Sequence, residues 1–160
     1  MAQESRQASL TLMPPVDLTS ERAVIGGIFQ FDNSSIPVVS EILAPEDFYL
    51  ALHSKVFKAA LEIYRDEGSV DLPMLNAKFP SLFDSERSKG GIGLVCDMIA
   101  EVATVANADF HAKRVKEMAV RRSLLTSAQE MLRNVHDEDD VSALLQNAES
   151  KIFALRDRSG

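Results

Sequence analysis

The stretch "NADFHAKRVKEMAVRRSLLTSAQEMLRNVH", residues 107 to 136, contains neither glycine nor proline. As one helix it is about 43 Å from end to end, longer than a compact domain of this size ordinarily uses. Val115, Met118, Leu125 and Leu132, with Leu124, Ala128, Met131 and Val135 beside them, form one continuous apolar stripe. After the acidic turn "HDEDD", Val141, Leu145, Ala148, Ile152 and Leu155 recur at spacings of 4, 3, 4 and 3, which is a heptad seam. Two long helices joined by a short turn predict an antiparallel hairpin. With Leu144 and Phe153 flanking the seam, the apolar surface is wider than one partner helix covers, so part of it is expected to meet another molecule. The residues assigned to that interface are Met118, Leu125, Leu132, Leu145, Ile152 and Phe153, with Arg121 and Arg122 at its edge. The competing reading is that they only pack the hairpin on itself.

Upstream, the chain reads as punctuated helix and the fold class as all-α: a multi-helix globular subdomain over residues 14 to 106, then the hairpin over 107 to 160. Residues 1 to 13 are polar and read as a disordered tail. Helix one is expected over Leu18 to Phe31 behind an Asp17 cap, and a short helix over "SSIPVVSEIL". Pro45 opens a further turn with Glu46 and Asp47 at its positive end. "ALHSKVFKAALEIYRDEG" is a clear amphipathic helix with Gly68 placed for a left-handed cap. Asp71 caps a brief helix that Pro80 ends, residues 81 to 93 read as a flexible loop, and a helix follows over about Leu94 to Val102.

The 160 residues suffice for one domain, and neither their 46% hydrophobic nor their 26% charged content suggests disorder or a membrane protein. No apolar run approaches the roughly 18 to 20 residues of a spanning helix, and the start lacks the pattern of a secretion signal. Cys96 is the single cysteine. Together these features predict a cytoplasmic protein. The net charge of -7 is uneven: residues 1 to 106 hold 8 basic and 15 acidic side chains, residues 107 to 160 hold 9 of each. An acidic body repels a phosphate backbone, so tight DNA binding by this chain alone is not expected.

Few residues advertise chemistry. A P-loop requires a Gly-Lys pair followed by Ser or Thr, and no Gly-Lys pair occurs. Gly26-Gly27 lies inside a helical pattern and is read as a close approach by a neighbouring helix, at a propensity cost of about 1 kcal/mol each. His53, His111 and His136 fall on three elements with no second ligand nearby, so no metal site is assigned. No catalytic or cofactor-binding residue is assigned either. Cys96 is expected to be a buried small hydrophobe. Lys113, Arg114, Lys116, Arg121 and Arg122 are either a solvated face, with Glu117 pairing to Arg121, or a docking edge for an acidic neighbour.

These residues together resemble the N-terminal region of DnaB-type replicative DNA helicases. The marks are the proline pair, "ERAVIGG", "PEDFY", "HSKVF", "VDL" at 70 to 72, Gly90-Gly91, and "HAKRVKEMAVRRSLL", over about residues 14 to 155. Thr19-Ser20 and Ile25 depart from the family's usual acidic-alanine pair and leucine. The resemblance implies an all-helical domain with a hairpin, pairing into dimers that form the N-terminal tier of a hexameric ring. It implies docking of the helicase-binding domain of primase and, in some systems, of a helicase loader. It also implies that ATP and magnesium belong to a motor domain outside this chain, and that assembly rather than catalysis is its role. Two alternatives are the helicase-binding domain of a primase, which is similar in fold, and a small helical nucleic-acid-binding module.

Overall fold

The computed structural model describes residues 13 to 160, and among them it contains helices and turns and no strand. The expected tail at residues 1 to 13 therefore lies outside the described residues, apart from Met13. The described residues form two compact units: a body, Asp17–Lys116, and a second unit made of Glu117–Gly160 with residues 13 to 16. The units part inside the longest helix, not before it at residue 107 as the sequence reading placed them. The physical reason is burial, since Ala112 and Val115, on the first turns of that helix, belong to the core of the body.

The body begins with α1, Leu18–Ile28. Asp17 caps it, its Oδ1 accepting a hydrogen bond from the Ser20 backbone N–H at 3.0 Å. Next come α2, Ile36–Ile42, a single turn at Pro45–Asp47, and α3, Ala51–Glu67. Gly68 closes α3 in the left-handed conformation with φ +80°, its N–H reaching the Tyr64 carbonyl at 2.9 Å. α4, Leu72–Lys78, is capped by Asp71, whose Oδ1 accepts from Met74 N–H at 2.8 Å. α5 spans Gly93–Glu101, and α6, Ala108–Asp137, starts in the body.

The core is continuous: Ile25 and Ile28 of α1, Val56, Phe57 and Ile63 of α3, Leu75 of α4, and Val95 and Met98 of α5 are all buried. Gly26 makes the α1–α5 packing possible. A Cβ built there would stand 2.2 Å from the Met98 carbonyl oxygen and 2.6 Å from its carbon, so the two backbones touch and no side chain fits between them. Gly27 is different, because a Cβ there would meet Val105 at 3.7 Å and Ser35 at 3.9 Å, ordinary contact distances.

Three details depart from the sequence reading. α1 ends at Ile28 rather than Phe31, because Phe31, Asp32 and Asn33 turn left-handed with φ of 50°, 55° and 61°. Asn33 compensates: its amide donates to the Ile28 and Val70 carbonyls, each at 2.8 Å, and its Oδ1 accepts from Val70 N–H at 3.0 Å. The expected loop at 81 to 93 contains a 3-10 turn, Asp84–Lys89, and is tied to the core through buried Phe83. Cys96 is exposed, not buried, because α5 turns Val95 and Met98 inward and leaves Cys96 on the opposite side.

Two outcomes follow. Gly26→Ala should lower stability by about 1–3 kcal/mol through overpacking, while Gly27→Ala should fold with an unchanged or higher midpoint, both read by urea unfolding. The Asp17 carboxyl lies below its ordinary pKa, first through the Ser20 backbone hydrogen bond and then through the Ser20 hydroxyl and Arg114. A depressed carboxyl contributes fully above about pH 4, the range of an unfolded chain, and its contribution is lost as pH falls through the lower folded value. Asp17→Asn, which keeps a capping oxygen, should flatten the acid limb of stability against pH, and Asp17→Ala should cost about 1 kcal/mol at neutral pH.

Candidate interaction surface

The second unit is a hairpin of the later turns of α6 and of α7, Val141–Ser159. The turn is held by its own acids: Asp140 caps α7 by accepting from Ser142 N–H at 3.0 Å, and Glu138 accepts from Asp140 N–H at 3.1 Å. Two side-chain bonds fix an antiparallel register, Lys151 with Glu130 and Arg158 with Ser123 Oγ at 3.1 Å. Lys151 holds the Glu130 carboxyl below its usual range, first by the hydrogen bond and then by charge.

The register decides which apolar residues face inward. Leu155 is buried, while Met131, Leu144 and Ala148 are half-buried. Along α7 the inward positions are therefore 144, 148, 151 and 155, a heptad seam offset from the one expected at Val141, Leu145, Ala148, Ile152 and Leu155. The offset leaves a second stripe uncovered. Leu132 is 67%, Leu145 59% and Phe153 68% exposed, and Leu124, Val135, Val141 and Ile152 are exposed with them.

The interface residues expected from sequence thus fall into different settings. Leu132, Leu145, Ile152 and Phe153 are open to solvent, Leu125 is half-buried, and Met118 is only 9% exposed. Leu145 lines a shallow groove of about 190 Å³ with Met131, Val135, Leu144 and Ala148, whereas Leu132, Ile152 and Phe153 stand outside its walls. Val135, Val141 and Leu124 join the exposed set; Val141 belonged to the expected seam, whereas the signal for Val135 and Leu124 was the width of the apolar stripe.

The five basic residues do not form one edge. Lys113 lies 3.7 Å from Asp109, Arg114 binds Asp17 at 3.3 Å, and Lys116 binds the fully buried Asp47 at 3.1 Å, so the first three serve the body. Asp47 is also a capping group, accepting from Ala44 N–H at 2.8 Å. Arg121 pairs with Glu117 at 2.9 Å as its i, i+4 spacing predicts, and Arg122 donates to the Pro15 carbonyl at 2.9 Å.

The histidines are dispersed. His53 is buried at the start of α3, its Nδ1 2.8 Å from Glu21 Oε1, and the same carboxylate accepts from Tyr49 N–H at 2.9 Å. His111 Nδ1 meets Ser20 Oγ at 3.3 Å, and His136 is exposed at the end of α6. Among the described residues no three His, Cys, Asp or Glu side chains gather as a metal site, and no helix is long and apolar enough to cross a membrane.

This architecture has known relatives. The family model described as the DnaB-like helicase N terminal domain matches residues 13–117, a range that ends one residue past the body. The replicative DNA helicase DnaB of Geobacillus stearothermophilus is 33% identical over 147 residues, which cover 91% of this chain and 32% of that protein. The replicative DNA helicase DnaC of Bacillus subtilis is 34% identical over 148 residues, covering 91% of this chain and 32% of that one. The chain thus spans about a third of the length of these curated relatives. Among solved structures, the crystal structure of the N-terminal domain of DnaB helicase from Mycobacterium tuberculosis superposes with a TM-score of 0.79 at 29% identity, over 89% of this chain and 99% of that one. A DnaB-like replicative helicase, described with its interactions with primase, shares the fold with a TM-score of 0.69 at 24% identity, over 87% of this chain and 31% of its own. The helical body closed on Gly26, the hairpin that follows it and these matches agree: the chain belongs to the DnaB-like helicase N-terminal domain family.

Proposed function

We propose that this chain is the assembly and docking part of a replicative helicase. Its hairpin pairs with that of a second copy, and three such pairs build the N-terminal tier of a hexamer. The tier receives the helicase-binding domain of primase and, in systems that use one, a loader. The chain contributes no catalysis; ATP and magnesium are handled by a motor in the remaining two thirds of a full-length helicase.

One observation carries the assembly reading: the outer stripe of the hairpin. Leu132, Leu145 and Phe153, each more than half exposed, stand with Val135, Val141 and Ile152 on a unit whose own seam is already filled. Apolar surface of this extent on a charged helical pair marks an interface, since leaving it wet forgoes roughly 25 cal/mol for every Å² that a partner could cover. Family membership supports the same reading, and the primase-docking reading is supported by the shared fold with a helicase described with primase. The net charge of -7 supports a scaffold, because the attraction to DNA that a strongly basic domain would supply is missing.

Exposed and buried positions separate assembly from self-packing. Leu132→Glu and Phe153→Glu should leave the unfolding free energy, compared at a dilution where the parent is monomeric, within about 0.5 kcal/mol of the parent, as surface changes do, while abolishing self-association in sedimentation velocity. Met118→Glu, at a buried site, should instead lower stability by several kcal/mol. A parent chain that sediments as a monomer at high concentration would overturn the assembly reading.

A further inference from the structure

The body contains a second, unrelated feature: a cavity of about 250 Å³ enclosed by α1, the start of α2, the 102 to 107 segment and the first turn of α6. All of its lining residues belong to the body. Its floor is Val24 and Gly27 of α1 with Ser35 and Val39, all four buried, and its mouth is formed by exposed Thr104 and Asn107.

Two observations set this space apart from a packing defect. Ser35 precedes α2 at the position where a serine ordinarily caps a helix, yet its side chain makes no capping bond. Its hydroxyl is buried, and among the described residues it is the one buried side-chain polar atom without a hydrogen-bond partner. Such a group costs free energy unless something supplies the missing bond. Gly27 makes room beside it, since a Cβ at that position would lie 3.9 Å from Ser35 Oγ and 3.7 Å from Val105 Cγ1. A side chain at this helix position would project into the space beside the hydroxyl.

The lining also states the chemistry. Val24, Val39, Val102 and Val105 supply apolar walls. The one carboxylate at the rim, Glu101, is held by Arg22, and His111 Nδ1 is engaged by Ser20. With the acid already paired, no carboxylate of the lining is open to a cation, while the serine hydroxyl can donate or accept a bond. A dry apolar cavity of about 150 Å³ accommodates benzene, so 250 Å³ suits a single substituted ring.

We infer that this cavity is a binding site for a compact neutral ligand, an apolar body of about one ring in size carrying one hydroxyl, carbonyl or amide head that bonds to Ser35 Oγ. The inference is independent of the assembly reading, because no hairpin residue lines the cavity. Phenol is a suitable probe. Titrated into the full chain and followed by amide and methyl NMR, it should give saturable shifts centred on Gly27, Ser35, Val39 and Val105. Gly27→Ala, which takes up the space without a clash, should weaken phenol binding about tenfold or more with the fold retained. Ser35→Ala should weaken phenol about tenfold but leave toluene, which lacks the head, within about twofold. Shifts that do not saturate, shifts spread over the surface, or equal affinity of the Gly27→Ala chain would overturn the inference. So would a soaked crystal showing only ordered water on Ser35 Oγ.

Discussion

Two helices can approach backbone to backbone only where one of them has no side chain, and Gly26 is where α1 and α5 do so. The Met98 carbonyl occupies the space that any Cβ at position 26 would need. Much of the body is set by that distance. It brings the Gln30 amide to the Ile99 and Val102 carbonyls at the end of α5. It carries the 102 to 107 segment over Gly27, where it roofs the cavity. It also places Glu101 beside Arg22, whose guanidinium holds the carboxyl below its ordinary range.

The hairpin obeys a different constraint. An α-helix with apolar residues at two offset heptad registers presents two stripes, and a single partner helix covers one. Residues 144, 148, 151 and 155 fill the seam, so 141, 145 and 152 remain on the outer side with Phe153. The inner seam holds the two helices together, and the outer stripe is the surface available to another molecule. A lysine at inner position 151 is tolerated because Glu130 on the facing helix pairs with it.

How far the chain could be read in advance depended on whether the deciding physics was local. Helix positions, the Asp17, Asp71 and Gly68 caps, and the meaning of the glycine pair were legible because propensity, capping and the absence of a Cβ act within a few residues. Which of the two glycines mattered was not legible, since that depends on Met98, some seventy residues away. The hairpin was legible as a hairpin, but the seam expected at Leu145 and Ile152 lies one register step from the seam formed. Periodicity finds both stripes and does not rank them. Met118 was assigned to the outer face although it is buried, and Cys96 to the core although it is exposed. The Glu21–His53 pair left no local signal at all, because a buried carboxylate is recognisable only through its three-dimensional donors.

Asn33 ties together two segments of the body that are far apart in the chain. Its single side chain serves three backbone groups, one at the end of α1 and two at Val70, 37 residues further along the chain. The Ile28 bond is local, five residues back along the chain, whereas the two bonds to Val70 form only where the segment after α3 lies beside the end of α1. Aspartate would remove the donors, and glycine would permit the left-handed turn but supply no bond. The turn after α1 and the segment after α3 are therefore fixed to one another by one side chain. Loss of the left-handed Phe31–Asn33 turn would leave the Val70 N–H and carbonyl without these bonds.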